Sequence, residues 1–175
     1  MDIKRTTIDG SSEPVTATEV KSYLKIDFTD DDTLIETIIS GVREMAEQRT
    51  GLSLIPSTIV YFEDSDYDDE IRLPYPEHNA VTEVIQNSED ITADCIITGE
   101  TEKVVKLPYI YDSITENDYG VKITYTTLGT CPAGVKLALL KAIADIYEKR
   151  GNTFEGAIAE LSENSIAMLT RYMKL

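Results

Sequence analysis

The chain has 175 residues, enough for one domain or two small ones with a real core, and its 42% hydrophobic and 27% charged content is that of an ordinary globular protein. Its 32 acids against 16 bases give a formal charge of -16, which repels phosphate backbones and argues against a DNA-wrapping or anionic-membrane protein. No stretch approaches the ~18 consecutive apolar residues of a membrane span, and the opening "MDIKRTTIDG" lacks the apolar core of a signal peptide.

Residues 1–12 show no periodicity and read as an N-terminal arm. Thr16, with Glu19 three residues later, forms the two halves of a capping box for a short helix carrying Val20, Tyr23 and Leu24 on one face. "DFTDDD" stops that helix, and Asp30 or Asp31 can cap the next. There Leu34, Ile35, Ile38, Ile39, Val42, Met45 and Ala46 make one apolar stripe, and Gly51 stands where a C-cap glycine belongs. Residues 13–55 therefore predict an antiparallel helical hairpin. Glu36, Glu44 and Glu47 fall on its polar side and read as a wet face.

After Pro56 the period changes to two. "STIVYFED", "EIRLP", "AVTEVIQ", "CIITG", "KVVKLPYIY" and "GVKITYTT" are short, β-branched and punctuated by turn residues, which predicts a small, mainly antiparallel β-domain over 56–128. Pro132 then opens a long helix from about 132 to 150. Its apolar residues cover most of its circumference, so it needs cover on more than one side, from the first two helices and from the C-terminal segment or a neighbouring subunit. A weaker amphipathic helix follows, broken around Ser162 to Ser165, with Ile166, Leu169 and Met173 on one side. The expected fold is α+β: an antiparallel bundle of about four helices, completed by residues 129–175, with the β-domain inserted between the second and third.

Chemistry is sparse. Cys95 and Cys131 form no CxxC pair and read as reduced thiols of a cytoplasmic protein. His78, the lone histidine, sits in a proline-bounded loop with no second ligand at zinc spacing, and no GxSxG elbow or phosphate loop occurs. No catalytic residue and no cofactor is expected. Asp64, Asp66 and Asp68 alternate as calcium ligands do, but the glycine and glutamate that an EF-hand loop requires are replaced by Asp69 and Tyr75. They remain weak metal candidates, and with them an alternative reading: a non-catalytic module whose acidic loop binds a protein or a divalent cation. Tyr109, Tyr111, Tyr119 and Tyr125 lack the basic groove of a nucleic-acid stacking platform and suit strand faces and interfaces.

Three phrases in order, "EPVTATEVKSYLKID" with "DTLIETIISGVREMAEQRTGLSLIPST", "IRLPYPEHNAVTEV", and "VKITYTTLGTCPAGVKLALLKAIADIYEKRGN", resemble the gp6-like head–tail connector (adaptor) family of tailed phages and prophages. Tyr125, Gly129, Pro132, Tyr147, Glu148 and Arg150 match the family's pattern, whereas "MLTRYMKL" departs from its usual C-terminal phrase and the family's long-helix tryptophan is absent. The resemblance implies a non-enzymatic virion protein, assembled in the bacterial cytoplasm. It implies a homo-oligomeric ring, typically twelve-fold, that docks on the portal protein and receives a downstream tail-completion or stopper protein. DNA would pass through the ring without specific binding, past an acidic surface suited to releasing it. Tyr147, Arg150, Leu169, Arg171, Tyr172 and Met173 become the oligomer or portal interface candidates, and charged substitutions at Leu169 or Tyr172 are expected to spare the fold.

Overall fold

A computed structural model of the chain describes residues 2–8, 12–63, 69–108, 120–149 and 161–173. Among these lie four α-helices and two antiparallel sheets, the strands dominating the stretch between the second and third helices. The molecule divides into two compact units: a helical unit of Ser12–Leu54 with Cys131–Leu175, and a β unit of Met1–Ser11 with Ile55–Thr130.

In the helical unit, α1 spans Ala17–Leu24 and begins with the expected capping box. Thr16 Oγ1 accepts from the Glu19 N–H at 3.2 Å and Glu19 Oε2 accepts from the Thr16 N–H at 2.9 Å. Helix α2 spans Asp32–Thr50 and ends at Gly51, whose φ of 68° lets its N–H turn back onto the Glu47 carbonyl. Asp31 occupies the N-cap position of α2, but its side chain makes no cap bond; its Oδ2 accepts instead from the Tyr147 hydroxyl at 2.6 Å. Helix α3 spans Ala133–Lys149 and α4 spans Glu163–Thr170. Ser162 caps α4, its side chain accepting from the Ser165 N–H, and the stretch before Leu161 on which the earlier part of that helix was expected lies outside the described residues.

One apolar core serves all four helices. Val20, Ile35, Ile39, Val42 and Ala46 meet Val135, Ala138, Leu139, Ala142 and Ile143, with Leu169 from α4. Contacts from α1, α2 and α4 cover α3, leaving Leu137 as its one large exposed apolar residue. The apolar excess of α3 is thus largely absorbed within the chain, and of the two covers expected besides the first helices, the C-terminal segment supplies one through α4. Glu47 corrects a second expectation. It is 1% exposed, not wet, because it reaches under the chain leaving α2 to accept the Leu54 N–H at 2.7 Å while holding Arg43 at 2.6 Å.

The β unit contains β1 (Asp2–Thr7), β2 (Ser57–Glu63), β3 (Glu70–Arg72), β4 (His78–Gln86), β5 (Glu89–Asp90), β6 (Ile96–Thr98), β7 (Val104–Lys106) and β8 (Val121–Thr127). A five-stranded sheet runs in the order β1-β2-β8-β4-β5 and a three-stranded sheet in the order β3-β7-β6, every pairing antiparallel. The arm read over residues 1–12 contributes β1, which pairs with β2 from Asp2 opposite Phe62 to Thr7 opposite Ser57. Its charged "DIKRTT" suits an edge strand, and Ile3 alone packs against the β core. Burial alternates along β2 and β8, so Ile59, Tyr61, Val121, Ile123 and Tyr125 point into a core closed by Ile71, Leu73, Val84 and Val105. After β8 the chain turns at Gly129 with φ 74°, so close to the Ile55–Pro56 backbone that a Cβ would collide with it.

Candidate assembly site

Among the described residues of the helical unit, α4 and the turn after it line a groove. Asn164, Ala167, Met168, Arg171 and Tyr172 recur at spacings of three and four, so α4 and the turn after it present them on one side. With Gly134 they line an open groove of about 390 Å³. Gly134 stands in the first turn of α3, and its missing Cβ makes room for the Tyr172 hydroxyl, which a methyl group there would strike. The Tyr172 N–H donates to the Leu169 carbonyl at 2.8 Å and fixes the turn. Arg171 lies exposed at the C-terminal end of α4, where a cation complements the helix dipole, and Met173 beyond it is 42% exposed. A planar cation, an aromatic ring with a polar tip, and two methionines form a surface suited to a protein partner.

The six interface candidates therefore separate. Arg171, Tyr172 and Met173 come together at the end of α4, and Arg150 lies outside the described residues. Leu169 is 1% exposed in the shared core and Tyr147 is buried with its hydroxyl on Asp31. Both side chains lie within the chain's own core, and a charge at Leu169 would enter that core instead of sparing the fold. The amphipathic pattern correctly placed Leu169 on an apolar face; that face is turned inward because α3 needs it as cover. The groove residues Gly134, Asn164, Ala167 and Met168 were missed, although the spacing of the last three with Arg171 and Tyr172 was visible in the sequence.

Other candidates are accounted for by their surroundings. His78 is buried, with Nδ1 accepting from the Lys103 N–H at 2.8 Å and Nε2 set 2.8 Å from the Pro74 carbonyl as a donor. The Tyr125 hydroxyl donates to the same carbonyl at 2.7 Å, and the two rings meet edge to face. Burial pushes the His78 pKa below its ordinary value, the Lys103 charge adds to that, and the Pro74 bond and Glu102 oppose it. The imidazole is a neutral clamp. Burial raises both thiols, Cys95 with help from Asp94 and Asp90, and Cys131 against the pull of Lys136, so neither is a poised nucleophile.

Arg43 is a buried hub that sequence reasoning passed over. Burial disfavours its charge, yet Glu47 and Glu13 hold its guanidinium above the ordinary value, with bonds of 2.6 and 2.8 Å. The i,i+4 spacing of Arg43 and Glu47 was the available signal. Asp64, Asp66 and Asp68 lie outside the described residues. Among the described residues no three His, Cys, Asp or Glu side chains converge as metal ligands, and no helix is long and apolar enough to cross a membrane.

Comparison with known proteins bears on this arrangement. Similar solved structures include a chain from the virion of a native gene transfer agent (GTA) particle, at 15% identity and a TM-score of 0.73. Others come from the neck of a native GTA particle computed with C12 symmetry, at 17% and 0.68, and from the neck of an empty GTA particle computed with C6 symmetry, at 14% and 0.66. Each match covers 100% of this chain and 96% of the other. At such identities the likeness establishes the fold. No curated protein matches in sequence. The Head completion protein family, however, matches residues 13–164, which takes in helices α1 to α3, every strand but β1, and Gly134 and Asn164 of the groove, and ends two residues into α4. The chain belongs to the head completion protein family.

Proposed function

We propose that this chain is a non-catalytic head–tail connector of a tailed bacteriophage, prophage or related phage-like particle. In this reading it forms a ring in the neck, of the gp6-like type and twelve-fold when assembled, that docks on the portal protein and receives the next tail or stopper protein. The observation that carries the reading is the family match over residues 13–164. The likeness in fold to neck chains of a gene transfer agent supports it, as do the C6 and C12 symmetries of those necks.

The chain's own chemistry fits the role. A closed ring is built from one heterologous contact repeated, so each protomer must offer surfaces that a neighbour or the portal can cover. The groove of Gly134, Asn164, Ala167, Met168, Arg171 and Tyr172, extended by Met173, is our candidate for one of them. Arg171 gives it a fixed cation in a strongly acidic chain, which suits an acidic site on the partner. The formal charge of -16 suits a conduit: phosphate backbones passing it are repelled and not retained. Assembly would take place in the bacterial host cytoplasm and the product would remain in the virion.

Deleting the coding sequence from the phage or prophage tests the role. Electron microscopy of the lysate should then show heads and tails that fail to join, restored by the wild-type chain in trans. Intact tailed particles from the deletion strain would overturn the proposal.

A further inference from the structure

Sheets with open edges normally protect them with charge, proline or a bulge, because an unpaired row of N–H and C=O groups recruits other strands. Three outer strands of the β unit follow this practice: β1 carries Lys4 and Arg5, β5 is Glu89–Asp90, and β3 holds Glu70 and Arg72. The fourth, β6, does not. It reads Ile96, Ile97, Thr98, pairs among the described residues with β7 on one side only, and has no charge, proline or bulge of its own. Successive strand residues face opposite sides of a sheet. Ile96 is 60% and Ile97 39% exposed, so both faces of this edge leave an isoleucine in water.

The ends of the strand are acidic. Asp94 precedes it, close enough that it and Asp90 help hold the Cys95 thiol above its ordinary value, and Glu100 and Glu102 follow in the turn to β7. Of the nearby lysines, Lys103 Nζ bends back to the Gly99 carbonyl, and Lys106 is paired with Asp69 and Glu70 across β3. A second copy of this chain would bring its own charge of -16 to that edge.

We propose that β6 accepts an extended, lysine- or arginine-bearing segment of another protein as an added strand. Main-chain hydrogen bonds would supply affinity. The isoleucines would grip alternate apolar side chains of the incoming segment, and the acidic ends would select for cations flanking them. This inference does not depend on the neck reading.

The test uses the full chain and two fluorescein-labelled peptides, Lys-Thr-Val-Thr-Val-Lys and Glu-Thr-Val-Thr-Val-Glu, titrated by anisotropy at low salt, with amide exchange followed at residues 96–98. The lysine peptide should bind at least about tenfold more tightly than its acidic counterpart and slow exchange at those amides. The double variant Ile96→Lys/Ile97→Lys should lose about tenfold in affinity. Ile96→Lys alone, at the more exposed position, repeats the test should the double variant misfold. No binding, equal binding of both peptides, or unchanged affinity in the folded variants overturns the proposal. Protection at 96–98 that grows with protein concentration and no peptide also overturns it, since the occupant is then a second copy.

Discussion

The two units bury polarity in opposite ways. The helical unit buries the Arg43–Glu47 pair in its interior, with half-buried Glu13 closing it from outside and Glu47 also accepting the Leu54 N–H. The β unit seals in a neutral imidazole, His78, which joins the Pro74 carbonyl to the Lys103 N–H beside the Tyr125 ring. A buried ion pair is stable while both partners remain and very costly once one is lost. A buried neutral histidine is indifferent to single charges elsewhere but sensitive to the proton. The helical unit should therefore fail at single side chains, and the β unit at pH and backbone geometry.

The largest expected effect lies in the helical core. Leu169→Asp places an unpaired charge among Leu139, Ile143 and their neighbours and should cost more than about 4 kcal/mol, read as loss of the cooperative melt, whereas Tyr172→Asp at the groove should stay within about 1 kcal/mol of wild type. A folded Leu169→Asp protein would mean that α4 is packed differently. Next, Glu47→Ala leaves the Arg43 guanidinium short of its closest carboxylate and the Leu54 N–H unmet, and should destabilise by about 3 kcal/mol by urea titration. Glu44→Ala, removing an exposed partner 3.5 Å from the same arginine, should change stability by less than about 0.5 kcal/mol. Equal costs for the two would erase the distinction between the buried network and the surface.

In the β unit, Gly129→Ala should cost about 2 kcal/mol, because the backbone sits at φ 74° and the new methyl meets the Ile55–Pro56 backbone. The smallest effect is the pH response. The His78 pKa is lowered on folding, so above its ordinary value of 6.5 the imidazole is neutral in both states and the clamp contributes fully. As pH falls below 6.5, the unfolded chain takes up a proton that the fold resists, and stability drops until the lower folded pKa is passed. Urea midpoints at pH 7.5 and 5.5 should therefore differ more for wild type than for His78→Gln. Equal differences would show that the carboxylates of this acidic chain carry the whole response.

The same contrast explains what the sequence made legible. Helices announce themselves locally, so the Thr16–Glu19 box, the α2 stripe and the Gly51 cap are read from neighbours within a few residues. Glu47 was misread because its burial depends on Leu54, a partner beyond its own helix. In the β unit β2, β3, β4, β6, β7 and β8 were visible as period-two runs, whereas β1, read as an arm, and the two-residue β5 were not, and no pairing was. That β1 lies along β2, or that β8 sits between β2 and β4, is decided by contacts dozens of residues apart. The groove was half legible: Arg171, Tyr172 and Met173 stood out as residue types, whereas Gly134 matters only because Tyr172 packs over it.

The most direct test of the central claim is the light-scattering mass of the purified chain, measured alone and then mixed with a portal protein from the same phage or prophage. A connector is expected to give a ring-sized species in at least one of the two samples, with Arg171→Glu/Met173→Ser weakening the portal-bound form while leaving the melt unchanged. A chain that stays monomeric in both samples, at concentrations where the portal ring is intact, would contradict the account.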